Sequence, residues 1–422
     1  MKRLKNLMTN FYLRILVSII LSLALLSCLG DKSDFEDWAP PISAISVSPN
    51  LSLDRKGLPI LSWMRIDGET VYLEYARLES KQWSPPITVS SGENWLVNRA
   101  DFPSVVQLTD SLWAAHWLVF TDPSTFAYDV FVSLSRDGGK TWEEGFSPHS
   151  DGTISEHGFV SFFADGSDVG VVWLDGRNML GGHIDEAAQD GHDKGIDGMT
   201  LRSAKLSPMG LITDDQEIDD LVCDCCQTDI SETLDGPILV FRNRTKNEYR
   251  DIYFSRMING QWSKSKPVAV DNWLIGGCPV NGPSVAANQN KTAVAWYTQA
   301  KGFGEVKVAL SDNGSDDFDS PINIDSGEDV LGQVGLAPLD EGGFVVSWMT
   351  HIEDISGELR VQYIDDSGAT SPSVVAAKIS NTRIAGLPQM VLTDENVVLA
   401  WTGSSGPQKS VQVLKTSVDG LY

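Results

Sequence analysis

The sequence predicts an all-β protein, a β-propeller of four-stranded blades, with seven blades favoured and six as the alternative. Three observations carry that expectation. A short apolar strand closing on an aromatic residue recurs at 59–63, 113–117, 169–173, 238–241, 293–296, 344–348 and 397–401. Its closing residues, Trp63, Trp117, Trp173, Phe241, Trp296, Trp348 and Trp401, follow one another at steps of 54, 56, 68, 55, 52 and 53 residues. The third observation is turn chemistry: residues 135–142 read Ser-Arg-Asp-Gly-Gly-Lys-Thr-Trp. There Ser135 and Asp137 can bond turn amides, Gly138 and Gly139 supply positive φ, and Trp142 packs beneath the hairpin. Six blades would result if the first and last copies shared one sheet.

Taken in chain order, residues 1–27 stand outside the fold. Lys2, Arg3, Lys5 and Arg14 make a basic start, and 15–26 is an apolar run too short to be a comfortable membrane span. It ends in Leu-Leu-Ser-Cys at 25–28, which resembles the bacterial lipobox. That resemblance implies cleavage before Cys28 and diacylation of its thiol. Residues 28–39 form an acidic tether, and acid directly after a lipidated cysteine resembles the surface-export signal of some Gram-negative lipoproteins. The expected location is therefore the bacterial cell envelope, an outer-membrane lipoprotein facing the periplasm or the cell surface.

Residues 40–422 are expected to be one propeller domain. The last repeat stops after its third strand, and 40–48 could supply the missing outer one, closing the ring without exposed edges. The chain carries a formal net charge of −25, and the leader contains basic residues but no acids, so the mature chain is more acidic still. Repulsion then argues against nucleic acid and anionic membranes as partners. No second apolar segment is long enough to cross a bilayer.

The octapeptide at 135–142 matches Ser-x-Asp-x-Gly-x-Thr-Trp at every fixed position, and so resembles the Asp-box (BNR repeat) of sialidase-like propellers. Residues 311–318 are a worn copy and 255–262 a more degenerate one. The resemblance implies a turn between the two outer strands of a blade, on the face opposite the substrate. True sialidases hold the substrate carboxylate with three arginines and use a Tyr–Glu nucleophile pair and an acid/base Asp. Here the Phe/Tyr-Arg-Ile-Pro segment is absent, with Asn-Arg-Ala-Asp-Phe-Pro at 98–103 in a comparable place. No motif assigns any arginine of this chain a sialidase role.

Blade geometry gathers a candidate site. In a propeller the segment entering each inner strand and the loop leaving each second strand meet on one face, around the central channel. The entries bring Arg99, Asp101, Glu156, His157, Asp224, Asn281 and Arg383, and the exits bring Arg177, Arg244 and Tyr297. Glu248, Arg250 and Asp251 begin the third strand of blade four. Asp101, Glu156, Asp224, Glu248 and Asp251 are the pool of catalytic carboxyls, with His157 beside them, and Tyr297 near Glu248 could imitate the sialidase nucleophile pair. Arg99, Arg177, Arg244, Arg250, Arg383 and Asn281 would bind an anionic or polyhydroxylated glycan, or else make structural ion pairs between blades. Two function classes stay open: an exo-acting, sialidase-like glycoside hydrolase or related carbohydrate-active enzyme, and a non-catalytic propeller that binds a glycan or protein.

Cys223, Cys225, Cys226 and Cys278 enter neighbouring blades, and outside the cytoplasm two disulfides are the expectation. One would join Cys278 to the cluster, with a vicinal Cys225–Cys226 bridge as a further option. A copper or zinc site on the same thiolates is the second reading, and no other cofactor is expected. Residues 178–198 insert a Gly-rich loop carrying His183, Asp185, Glu186, Asp190, His192 and Asp193, either a divalent-ion site or a solvated acidic lid. His116 lies within a strand beside Trp117 and reads as a hydrogen-bonded core histidine.

Overall fold

The computed structural model describes residues 35–42, 45–122, 126–179, 198–382, 386–405 and 408–421. The leader, Cys28, Arg383 and the six acidic and histidine side chains of the 178–198 insertion lie outside the described residues.

Seven antiparallel sheets form the ring. Each is a meander whose first strand lines the axis and whose second is the Trp-ending strand. Blade one is Ser46–Leu53, Pro59–Asp67 and Thr70–Glu79, edged by Gln82–Trp83 and Ile87–Gly92. Blade two is Ser104–Gln107, Trp113–Asp122 and Ala127–Ser135, its fourth strand reduced to a bridge between Val132 and Phe146. Blade three is His157–Asp165, Asp168–Asp175, Met199–Leu206 and Ile212–Val222. Blade four is Asp229–Thr233, Gly236–Arg242 and Ile252–Ile258, edged by Gln261–Trp262 and Lys266–Pro267. Blade five is Ser284–Ala287, Lys291–Thr298, Gly304–Asp312 and Ile322–Gly327. Blade six is Val330–Pro338, Phe344–Glu353, Ser356–Ile364 and Val374–Ser380. Blade seven is Gln389–Leu392, Asn396–Ser405 and Gln408–Ser417.

The ring closes as anticipated in kind but with a different segment. Glu36–Asp37 pairs with Lys415 and Leu414 as the outer strand of blade seven, and the Trp38 amide donates to Val413 O at 2.8 Å. Residues 40–48 could not do this, because Ser46 already begins the inner strand of blade one. The joint is tightened by the Val411 amide donating to Ser46 Oγ at 3.0 Å.

The second strands are the apolar core of each sheet. Trp63, Trp173, Trp296 and Trp348 are buried between blades, which stabilises each contact by about 2–3 kcal/mol per side chain. Inner strands are polar because their side chains lace neighbouring blades: Ser52 Oγ donates to Val105 O at 2.8 Å, and Ser284 Oγ donates to Asp229 Oδ2 at 2.8 Å. The axis is a cavity of about 360 Å³ lined by Asn50, Ser104, Ser161, Gln227 and Gln333 among others.

The 135–142 turn joins the third strand of blade two to its outer edge. Asp137 Oδ1 accepts the amides of Lys140 and Thr141 at 3.0 and 2.9 Å, and its Oδ2 accepts the Thr141 hydroxyl at 2.7 Å. These donors hold its carboxyl well below the usual range. Gly138 and Gly139 adopt φ of 75° and 80°. Trp142 stands edge-on to Tyr75 of blade one at 6.0 Å. The two weaker copies behave alike: Trp262 meets Phe163 of blade three at 5.4 Å, and Phe318 meets Phe254 of blade four at 5.2 Å. In each case the closing aromatic cements its blade to the preceding one.

Candidate functional site

Inner strands begin at the rim opposite those turns, and several enter through a residue in the left-handed region: Ser48 at 52°, Phe159 at 55°, Val280 at 49° and Gln333 at 54°. Register shifts mark bulges at the first, second and fourth of these. A bulge turns the backbone amide out of the ladder, and here a side chain from another blade captures it. Thr402 Oγ1 accepts from Ser48 at 3.1 Å, Asp101 Oδ1 from Phe159 at 2.8 Å, and Asn281 Oδ1 from Gln333 at 2.6 Å. Asp101 and Asn281 therefore share one structural task, the first between blades two and three and the second between blades five and six.

Asp101 does more than latch. Its side chain is buried, and burial pushes its carboxyl up to about 7 despite the Phe159 amide. The hydroxyl of Tyr128 lies 3.4 Å from Asp101 Oδ2 and 3.4 Å from Glu156 Oε2. One hydroxyl has a single proton and cannot satisfy two carboxylates, so a proton on Asp101 relieves the conflict. Glu156 is the half-buried member, which leaves it as the carboxyl a ligand can reach. Tyr128 was not among the sequence-derived candidates. It sits second in the strand Ala127–Ser135, and only the return of blade three brings Glu156 to it, through the Tyr128–Glu156 bridge.

On blade four, Arg244 Nη2 pairs with Glu248 Oε1 at 2.6 Å and Arg244 Nη1 with Asp224 at 3.3 Å, while Arg250 Nη2 holds Glu248 Oε2 at 2.9 Å. Glu248 occupies the left-handed region at φ 61°, clamped by two guanidiniums that hold its carboxyl below the usual range against the opposing effect of burial. Tyr297 is not brought to Glu248 by any hydrogen bond. It packs edge-on against Trp273 at 5.8 Å, and burial raises its phenol to about 12. Asp251 accepts the amides of Asn272 and Trp273 at 2.9 and 3.0 Å, a wholly structural use. Arg242, an exit residue, is buried and donates to the carbonyls of Asn281, Arg250 and Tyr297.

Arg177 grips Asp175 at 2.7 Å beside His157, which stacks on His149 with ring centroids 4.0 Å apart. Burial lowers His149, whereas His157 is raised in spite of burial by the surrounding Asp129, Asp175 and Asp151. Arg99 lines a second cavity of about 340 Å³ with Ser48, Asn98 and Thr402. His116 is the core histidine expected: its Nδ1 lies 2.8 Å from Ser104 Oγ, and burial brings it down to about 3.

The cysteines differ from expectation in part. Cys225 and Cys278 form the bond between blades, with an S–S distance of 1.97 Å, but Cys223 and Cys226 are free and there is no vicinal bridge. The reason is a turn centred on Asp224 and Cys225. A turn brings its first and fourth residues together, so Cys223 and Cys226 approach to 2.9 Å while Cys225 at the tip reaches across to blade five. Burial would raise the Cys223 thiol, yet Cys226, Arg242 and Arg250 bring it down to about 6. Gln227 follows, its amide donating to Ala100 O at 2.8 Å and its carbonyl accepting from Gly282 at 3.2 Å. The cysteine turn thus shares the rim with the Asp101 group.

No family model matches the chain, and no curated protein matches it. Solved structures share its fold. An ulvan lyase of polysaccharide lyase family PL25 superposes with a TM-score of 0.55 at 10% identity, over 92% of this chain and 99% of that one. A protein of unknown function from Dyadobacter fermentans gives 0.52 at 16% identity over 92% and 99%. The GH93 α-L-arabinofuranosidase of Fusarium graminearum gives 0.51 at 11% identity over 91% and 98%. At these identities the likeness is one of architecture: the chain is an all-β propeller of seven four-stranded blades.

Proposed function

We propose that this chain is a carbohydrate-active propeller enzyme, a glycoside hydrolase or lyase, working at the rim that bears Asp101, Tyr128 and Glu156. The observation that carries this is the pair of carboxyls flanking one buried tyrosine hydroxyl, each at 3.4 Å. Glycosidic chemistry needs one carboxyl that keeps its proton near neutrality and one that is ionised. Burial gives Asp101 the first property, and the half-buried Glu156 stands at the solvent side as the candidate for the second. Asp101 is the positioning and proton-holding partner, and Glu156 is the residue that meets the substrate. The two carboxylate oxygens lie at most twice 3.4 Å apart, a span that includes the roughly 5–5.5 Å of retaining glycosidases.

Arg244, Arg250 and Arg177 all pair with carboxylates of the chain itself. That favours a polyhydroxylated sugar, which can hydrogen-bond around intact ion pairs, over an acidic one that must displace them. The same architecture serves a lyase of ulvan and an arabinofuranosidase in the solved structures, which supports a carbohydrate substrate. The leader and Cys28 support a lipid anchor in the bacterial envelope; fatty-acid labelling should vanish in Cys28→Ser.

The test is turnover of a panel of oligosaccharides, read by new reducing ends and by the ultraviolet absorbance of unsaturated products. Glu156→Gln should lower kcat about 100-fold or more with an unchanged Tm. Saturable glycan binding with no turnover anywhere on the panel would instead favour the non-catalytic module, a reading supported by the nearly complete burial of Asp101, 2% exposed.

A further inference from the structure

We propose that Asp129, His149 and His157 form a zinc site that clamps blade two to blade three. The three residues come from separate places in the chain. Asp129 lies on the third strand of blade two, Ala127–Ser135; His149 on the link that follows; and His157 opens the inner strand of blade three, His157–Asp165. Their ligand atoms lie within 4.8 Å of one another. His157 Nδ1 is 3.1 Å from Asp129 Oδ1, and His149 Nε2 is 3.9 Å from the same oxygen.

These atoms stand within ion-pair range of carboxylates: His157 Nε2 is also 3.3 Å from Asp151 Oδ2, and His149 Nδ1 is 3.2 Å from the same oxygen. Asp129 Oδ1, His149 Nε2 and both nitrogens of His157 are buried without an aligned hydrogen bond. Buried polar atoms left so are costly and rare in folded proteins, and a cluster of ligand atoms this close together is what a cation requires. The rings are near parallel, 15° between planes at 4.0 Å, and His157 Nδ1 and His149 Nε2 both stand on the Asp129 edge.

Charge leads to the same place. Asp129, Asp151 and Asp175 all face this ring pair, and Arg177 is the one guanidinium among the described residues that pairs with any of them. A dication with neutral imidazoles would balance the group. Arg177 lies 2.7 Å from Asp175 and 3.5 Å from Asp151, so it already serves the far edge of the rings and leaves the Asp129 edge for the metal. Two imidazoles and one carboxylate suit zinc better than calcium or magnesium, which prefer all-oxygen shells. The Asp129 side chain is 25% exposed, which gives a fourth, water ligand room to enter.

The full-length protein should be stripped with a strong chelator and titrated with zinc chloride alone, then with cobalt(II) as a spectroscopic probe. The expected result is about one zinc per chain, a higher Tm with metal, and cobalt d–d bands of a nitrogen–oxygen shell. Asp129→Asn and His149→Gln should each weaken zinc binding roughly tenfold or more, and Cys223→Ser should leave it intact. Overturning results are absence of stoichiometric zinc uptake by the wild type, or a thiolate-to-cobalt charge-transfer band that disappears in Cys223→Ser. Unchanged affinity in the folded Asp129→Asn protein would overturn it as well. If neither variant folds, the wild-type cobalt spectrum decides alone.

Discussion

At the scale of single residues, the rim uses two residue types for one structural task. Asp101 and Asn281 capture equivalent bulge amides, so Asp101→Asn should keep the latch and the fold. What it removes is a buried carboxyl. The Asp101 carboxyl moves from an ordinary 3.8 up to about 7 on folding. A raised pKa means its favourable contribution is fully present below about pH 4 and is lost as pH rises through 7. Across that window the wild type should lose on the order of 4 kcal/mol relative to Asp101→Asn. Chemical-denaturant midpoints of both proteins between pH 4 and 8 check this; parallel curves would mean that Asp101 is not buried as a neutral acid.

At the scale of elements, two turns on opposite faces carry different burdens. In the 135–142 turn Asp137 receives four donors from its own hairpin and none from the rim. Asp137→Ala should therefore lower Tm and leave the activity per folded molecule unchanged, measured by kcat against the fraction folded. The cysteine turn spans blades: Cys225–Cys278 closes a loop of 53 residues. Cys225→Ser should cost roughly 4 kcal/mol or less by loop entropy. Thiol titration of a denatured, unreduced chain starting at residue 29 should find two reactive groups, Cys223 and Cys226. A count of zero would show that this 2.9 Å pair also oxidises.

At the scale of the whole molecule, stability depends on closure. Blade seven borrows Glu36–Asp37 as its edge, tied by Trp38 to Val413, and Trp38 packs on Trp83 of blade one at 5.2 Å. A chain starting at residue 45 should lose this edge and the Trp38 contact, and unfold at a lower temperature than one starting at residue 29. Equal Tm values for the two truncations would show that the outer strand is dispensable.

Much of this architecture is local, and local physics is what a sequence displays. A strand closing on an aromatic residue every 52–56 residues, with one longer step, favoured seven blades over six and gave their order, because each repeat must bury that strand between two neighbours. The Ser-x-Asp turn was legible for the same reason: the side-chain bonds of Ser135 and Asp137 that shape it lie within eight residues. The site was legible only as a face. That Asp101, Asp224 and Glu156 share a rim follows from strand direction, but which atom each one touches does not. Tyr128 meeting Glu156, Glu248 turning to two arginines rather than to Tyr297, and Cys226 folding back on Cys223 were decided by contacts between blades and by a turn geometry without a strong sequence signature. Burial then set the protonation of Asp101, and burial is a property of the closed ring, which no stretch of the sequence carries by itself.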